Sequence, residues 1–151
     1  ANFIFNYIKS KKKLTQYPDI SLVGLAFKGK PITDDLRGSM AIQFFKALKK
    51  KFKKSKFFGY DPIVKTSKIT KLGLKKTNNL QESFKNKDLV VILNNHPKFS
   101  KMPIETLSKL LNKSAIIYDF WNHFHNKKLN LYQNAQYLSL GSHYKAKKFN
   151  K

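Results

Sequence analysis

The segment Gly24-Leu25-Ala26-Phe27-Lys28, followed by Thr33-Asp34-Asp35-Leu36-Arg37-Gly38-Ser39, gathers groups able to hold an anion. Arg37 is the only arginine among 31 basic residues, and Asp34 and Asp35 are two of the eight acids. A guanidinium forks onto phosphate or carboxylate through two parallel bonds, which an ammonium cannot do. One arginine kept in a chain otherwise given to lysine therefore points to a planar, bidentate contact. Its partner is either a phosphate ligand or Asp34 or Asp35 within the loop. Lys28 offers a point charge for a diphosphate and Phe27 a ring for a base or sugar; the alternatives are a solvated lysine and a core phenylalanine.

Other chemistries find less support. The loop contains Gly24 and Gly29 but no G-x-G-x-x-G, so it lacks the tight pyrophosphate turn of a self-sufficient dinucleotide domain. With no cysteine, no G-x-S-x-G and no carboxylate pair placed to flank a scissile bond, the chain shows no catalytic residues. His123 and His125, with His96 beyond a neighbouring strand, could be drawn as a metal site. An H-x-H pair without an acid beside it reads instead as loop sequence, and no metal is expected.

These residues need elements to position them. Ile20 to Ala26 is a short apolar run suited to a buried parallel strand. From Ser39, a plausible N-cap, Met40, Ala41, Phe44, Phe45, Leu48 and Phe52 recur at helical spacing with lysines opposite. Lys56 to Tyr60 is a second strand, stopped at Asp61-Pro62 because proline cannot donate to a ladder. A one-turn helix near Val64 to Leu72 leads to Leu74-Lys75-Lys76, and Leu80 to Asn86 is a short helix. Asp88 to Leu93 is the clearest central strand. A helix over Pro103 to Asn112 precedes strands at Ala115 to Tyr118 and Gln136 to Leu140. Strands alternating with helices predict an α/β fold: a Rossmann-like, three-layer domain with a mostly parallel sheet and helices on both faces. In such a sheet ligands bind at the carboxyl ends of strands, which singles out Asp61, Asn94 to His96 and Asp119 to Asn122 beside the first loop.

The 151 residues fit one ordinary domain, divided here into a preceding helix end and linker (1–17), the domain proper (18–141) and a basic, mobile tail (142–151). The formal charge of +23 is spread along the whole chain rather than gathered into a patch. It looks like drift toward Lys, Asn and Phe, so nucleic acid is not the expected partner. The absence of cysteine and of any apolar run of membrane length predicts a cytoplasmic location without membrane contact.

The motifs Leu22 to Lys28, Thr33 to Arg37 and Ser39 to Ala41 resemble the opening of the C-terminal domain of the UDP-glucose/GDP-mannose dehydrogenase family. The similarity runs on through Tyr60-Asp61-Pro62, Asp88 to Val91, His96 with Phe99, Ile117-Tyr118-Asp119 and Tyr137 to Gly141. The resemblance implies a UDP-sugar-binding domain of an NAD-dependent enzyme that oxidises C6 of a nucleotide sugar to a uronic acid for polysaccharide. It implies that Phe27 and Lys28 contact the UDP-sugar and that Arg37 reaches the NAD pyrophosphate across an interdomain cleft. Gly24, Asp34, Asp35, Ser39, Asp61 and Asp119 are then motif residues that shape the site. Many members carry Asp-Gly-Arg after the fifth strand; Asp119-Phe120-Trp121 departs from this, and Trp121 could stack on the ligand instead. N-terminal and central domains would complete the parent, a homodimer or larger, and the fragment alone would be inactive. The Asp-Asp-Leu-Arg variant and His96 lean toward UDP-N-acetylhexosamines such as UDP-N-acetylmannosamine. The alternative is a stand-alone basic module that binds UDP-sugars or nucleic acid without catalysis.

Overall fold

In a computed structural model, which describes residues 1–10 and 15–140, six strands form one sheet in the order β3-β2-β1-β4-β5-β6, every adjacent pair parallel. The strands are β1 (Ile20–Val23), β2 (Phe57–Tyr60), β3 (Lys75–Lys76), β4 (Leu89–Ile92), β5 (Ile116–Asp119) and β6 (Gln136–Ser139). The expected mostly parallel sheet is thus wholly parallel. The chain winds outward from β1 to β3, then returns to lay β4 on the other side of β1. This reversal places a topological switch point between β1 and β4, where open α/β sheets receive ligands.

Alternation along the central strands sorts side chains into two cores. Leu89 and Val91 face one layer with Leu22, Ile116 and Tyr118, and there α1 (Asn2–Ser10) contributes Ile4 and Ile8. On the same face α2 (Met40–Lys51) contributes Ala41, Phe44, Phe45 and Leu48, and α3 (Thr66–Lys71) contributes Ile69. Val90 and Ile92 face the other layer with Ile117, against α4 (Leu80–Phe84), α5 (Pro97–Ser100) and α6 (Ile104–Ser108). Burial on both faces explains why these strands read as unbroken apolar runs.

Several boundaries differ from the sequence expectation for local reasons. β1 stops at Val23 rather than Ala26 because Gly24 adopts φ +86° and turns the chain out of the ladder. The helix expected over Pro103 to Asn112 ends at Ser108. Lys109 N–H bonds back to Thr106 in a tighter turn, and the Asn112 side chain donates to the Asp88 carboxylate instead of continuing the helix. The one-turn helix expected near Val64 to Leu72 is found at Thr66–Lys71, while the helix expected at Leu80 to Asn86 is shorter, Leu80–Phe84. The short α5 was not anticipated; His96 caps it by accepting from Lys98 N–H, and Pro97 opens its first turn. Gly141, the basic tail and Lys11 to Lys13 lie outside the described residues.

Leu48 is fully buried between α2 and the sheet. Leu48→Ala should lower unfolding stability by about 2–5 kcal/mol, measured as a shifted urea midpoint at unchanged slope.

Candidate functional site

The loop from Gly24 to Gly38 is assembled from the carboxyl end of the sheet upward. Asp61, just past β2, is buried, and one of its oxygens accepts from Leu25 N at 2.8 Å and Ala26 N at 3.0 Å. The other accepts from Ile63 N at 2.9 Å and Val64 N at 3.1 Å. A single carboxylate thereby fixes the start of the first loop and the turn after β2. Further along, Ser39 Oγ donates to Leu25 O and accepts from Ala41 N, so the residue that caps α2 also ties the helix to the end of β1. Phe27 N donates to Asp35 O at 2.7 Å, closing the loop upon itself.

The β4 end supplies the opposite wall. Asn94 donates to Ala26 O and accepts from His96 N, while Asn95 Oδ1 accepts from Gly29 N at 2.8 Å. The approach is so close that a Cβ on Gly29 would stand 2.0 Å from His96 N, and one on Gly24 would meet the Asn94 side chain at 2.7 Å. These two glycines serve close approach of backbone to backbone and backbone to side chain.

The side chains proposed from sequence fall on this rim. Phe27 is 51% exposed, which removes it from the core, and Lys28 Nζ stands 5.8 Å from the centre of its ring. Trp121 is 53% exposed and anchored by its indole N–H to Leu93 O at 3.2 Å, so its ring is held beside the β4 end. The β1 loop, the β4 end and the residues after β5 are consequently linked by direct hydrogen bonds. Arg37 takes the internal option left open by sequence. Its Nε and Nη2 fork onto Asp35 at 3.0 and 2.8 Å, and the side chain remains 92% exposed. The bond from Arg37 holds the Asp35 carboxyl well below the usual carboxylate range, at about 2. Asp34 pairs with Lys68 instead, at 2.7 Å, and that bond lowers its pKa too.

One sequence expectation is corrected: His123 does have an acid beside it. Its Nδ1 lies 3.0 Å from both oxygens of the fully buried Asp119, four residues earlier. Asp119 also accepts from Trp121 N, His123 N and the Tyr137 hydroxyl. Burial pushes the Asp119 carboxyl up, but the bonds from His123 and Tyr137 outweigh it and leave it below its ordinary value. Burial next to this carboxylate pushes the Tyr137 phenol strongly upward. The four-residue spacing could have disclosed the pair. His125 does not join it, bonding instead to Asn122 O, and the described residues contain no cluster of three or more metal-ligating side chains. His96, whose pKa is lowered by burial, is occupied as a helix cap.

The arrangement offers a binding surface: a loop tied down at both ends, two exposed rings and a nearby ammonium. A dinucleotide held by this domain alone does not fit, because the carboxylate beyond β2 that would meet its ribose has its oxygens committed to four backbone amides.

Residues 21–126 match the model of the UDP-glucose/GDP-mannose dehydrogenase family, UDP binding domain. A UDP-N-acetyl-D-mannosamine dehydrogenase of Pyrococcus horikoshii is 30% identical over 117 residues, covering 78% of this chain and 25% of that protein. The chain thus spans about a quarter of the relative's length. The structure of UDP-D-ManNAc dehydrogenase from Pyrococcus horikoshii superposes with a TM-score of 0.70 at 24% identity, over 93% of this chain and 29% of that one. A UDP-N-acetyl-mannosamine dehydrogenase from Staphylococcus aureus gives 0.69 at 19% identity, covering 95% and 31%. At these identities the superpositions establish the fold.

Two measurements check this network. Asp61→Ala and Asp61→Asn should each cost about 2–4 kcal/mol in urea unfolding, since an asparagine amide would turn an N–H toward two of the four donors. Asp119→Asn should destabilise most near neutral pH. A carboxyl with a folded pKa below its unfolded value of 3.8 stabilises above that value and loses the contribution as pH falls through the folded one. The gap between wild type and variant midpoints should therefore narrow below about pH 4.

Proposed function

The chain belongs to the UDP-glucose/GDP-mannose dehydrogenase family, as its UDP-binding domain, and from that premise we propose that it presents a UDP-sugar to the oxidising centre of a larger NAD-dependent enzyme. The observation that carries the reading is the exposed Phe27–Lys28 pair on a loop tied down at both ends. In this proposal Phe27 packs on the nucleoside, Lys28 neutralises the diphosphate, and Trp121 adds a second ring where many relatives place an arginine. The ring is held by Leu93 O, so it meets the ligand without first being ordered.

NAD would be held chiefly by another domain of the parent, where it accepts hydride from C6 of the sugar. Arg37 contributes to it from this side: its Nη1 makes no hydrogen bond within the described residues, and the exposed fork can turn toward a pyrophosphate. Asp35 then keeps the guanidinium near its post between turnovers. Residues 1–17 serve as the end of a preceding helix and linker, residues 18–141 as the binding domain, and the parent assembles as a homodimer or larger. The substrate is a UDP-N-acetylhexosamine of the N-acetylmannosamine kind, a reading supported by the relative named above. Its product is a uronic acid for surface polysaccharide, made in the cytoplasm. Among the described residues no helix is long and apolar enough to cross a membrane.

UDP added to the 151-residue chain should slow amide exchange around Phe27 and Lys28. In the complete enzyme Lys28→Ala should raise KM for the UDP-sugar about tenfold or more with a smaller effect on kcat; an unchanged KM would remove Lys28 from the site. Arg37→Ala should raise KM for NAD while leaving that for the sugar nucleotide close to wild type.

A further inference from the structure

A cavity of about 430 Å³ opens at the other end of the sheet. It lies between α1 and the C-terminal end of α2, where the chain is about to enter β1, far from the carboxyl-end loops in the direction the strands run. Its floor is Phe5 set edge-on to Phe52, with ring centres 5.2 Å apart, and Tyr17, nearly half exposed, forms a side. Lysines surround these rings. Lys9 and Lys51 hold their ammonium groups 5.6 and 5.1 Å from the centre of Phe5, and Lys54 lies 5.3 Å from that of Tyr17.

Among the described residues the ion pairs involve only Arg37, Lys68 and His123, so none of these lysines has a carboxylate partner. Lys9 and Lys51 lie in the last turns of α1 and α2 and gain from those helix dipoles, but Lys54 lies beyond the end of α2 and has no such compensation. Two ammonium groups over one ring lie within about a Debye length of each other, so they repel until an anion joins them. An aromatic lining inside a ring of cations without carboxylate partners is complementary to a base carrying several negative charges.

We propose that this cavity binds a nucleoside polyphosphate, its base against Phe5, Phe52 and Tyr17 and its phosphates bridging Lys9, Lys51 and Lys54. The site is separate from the UDP-sugar rim and uses none of its residues. A volume of about 430 Å³ lies within the usual range for small-molecule pockets. Lysine is an adequate ligand here, because a phosphate chain needs point charges along its length rather than one planar fork.

ATP and inorganic tripolyphosphate titrated separately into the 151-residue chain by calorimetry test the proposal. ATP should bind saturably with one-to-one stoichiometry, at least about tenfold tighter than tripolyphosphate. The double variant Lys51→Ala/Lys54→Ala should weaken ATP at least about tenfold, and Tyr17→Ala should weaken ATP while leaving tripolyphosphate unchanged. Lys28→Ala should leave ATP binding as in wild type, which separates this site from the UDP-sugar loop. All three surface variants should keep the wild-type circular dichroism spectrum. Loss of ATP binding only in Lys28→Ala would assign the ligand to the carboxyl-end rim and overturn the proposal. So would tripolyphosphate binding as tightly as ATP, an unaffected lysine double variant, no saturable binding, or tighter capture of a single-stranded oligonucleotide with a salt dependence of several phosphates.

Discussion

The fold's working end depends on one buried carboxylate. Asp61 receives four backbone N–H groups, two from the loop after β1 and two from the turn after β2. An unpaired amide in such a place costs on the order of 1–3 kcal/mol, so this acid removes a penalty that would otherwise keep both segments loose. The same saturation has a chemical meaning. A doubly wound sheet with a free acid beyond β2 can grip a ribose, and this one has used its acid to build a wall. Dinucleotide binding and loop rigidity compete for one side chain, and rigidity has won.

Other acids follow the same economy. Asp119 organises the segment after β5 by gathering Trp121 N, His123 N, the His123 ring and the Tyr137 hydroxyl. Asp88 joins the chain before β1 to the end of the α6 segment through Asp19 N and the Asn112 side chain. At Asp34 and Asp35 the carboxylates meet cationic side chains near the site, and there they restrain Lys68 and Arg37. Even with all eight acids counted, the chain carries a net +23 that has no internal compensation. Lysines near Phe5 and Tyr17 carry part of that surplus around a cavity.

Much of this was legible in the residues because the decisive signals are local. The apolar runs at Ile20, Phe57, Leu89 and Ile116 become parallel strands since both faces of each are covered. Ser39 caps its helix as its type and position suggest. The family resemblance rests on the same segments and is upheld over residues 21–126. What escaped was either too short or too distant to leave a pattern. Lys75–Lys76 is legible only by its place as the third strand in the alternation, because it pairs with β2 through backbone and its side chains carry no strand signature. The choice of Asp35 over Asp34 by Arg37 depends on loop conformation, which no spacing rule sets. Phe27 is exposed on a loop held by long-range bonds such as Gly29 to Asn95, sixty-six residues apart in sequence, which no local pattern shows. His123 is the instructive miss: the acid lies four residues earlier rather than beside it, and the turn after β5 folds the ring back onto that carboxylate.

The tether between Gly29 and Asn95 also bears on how a ligand is met. A loop of this length left slack would lose conformational entropy each time it closed on its guest, and affinity would fall accordingly. Here that ordering is completed during folding, when the β1 and β4 ends are joined and Asp61 is filled. In the proposed reading the rim is therefore preorganised: a UDP-sugar would meet the same shape each time, and discrimination would rest on fit rather than on closure of the loop.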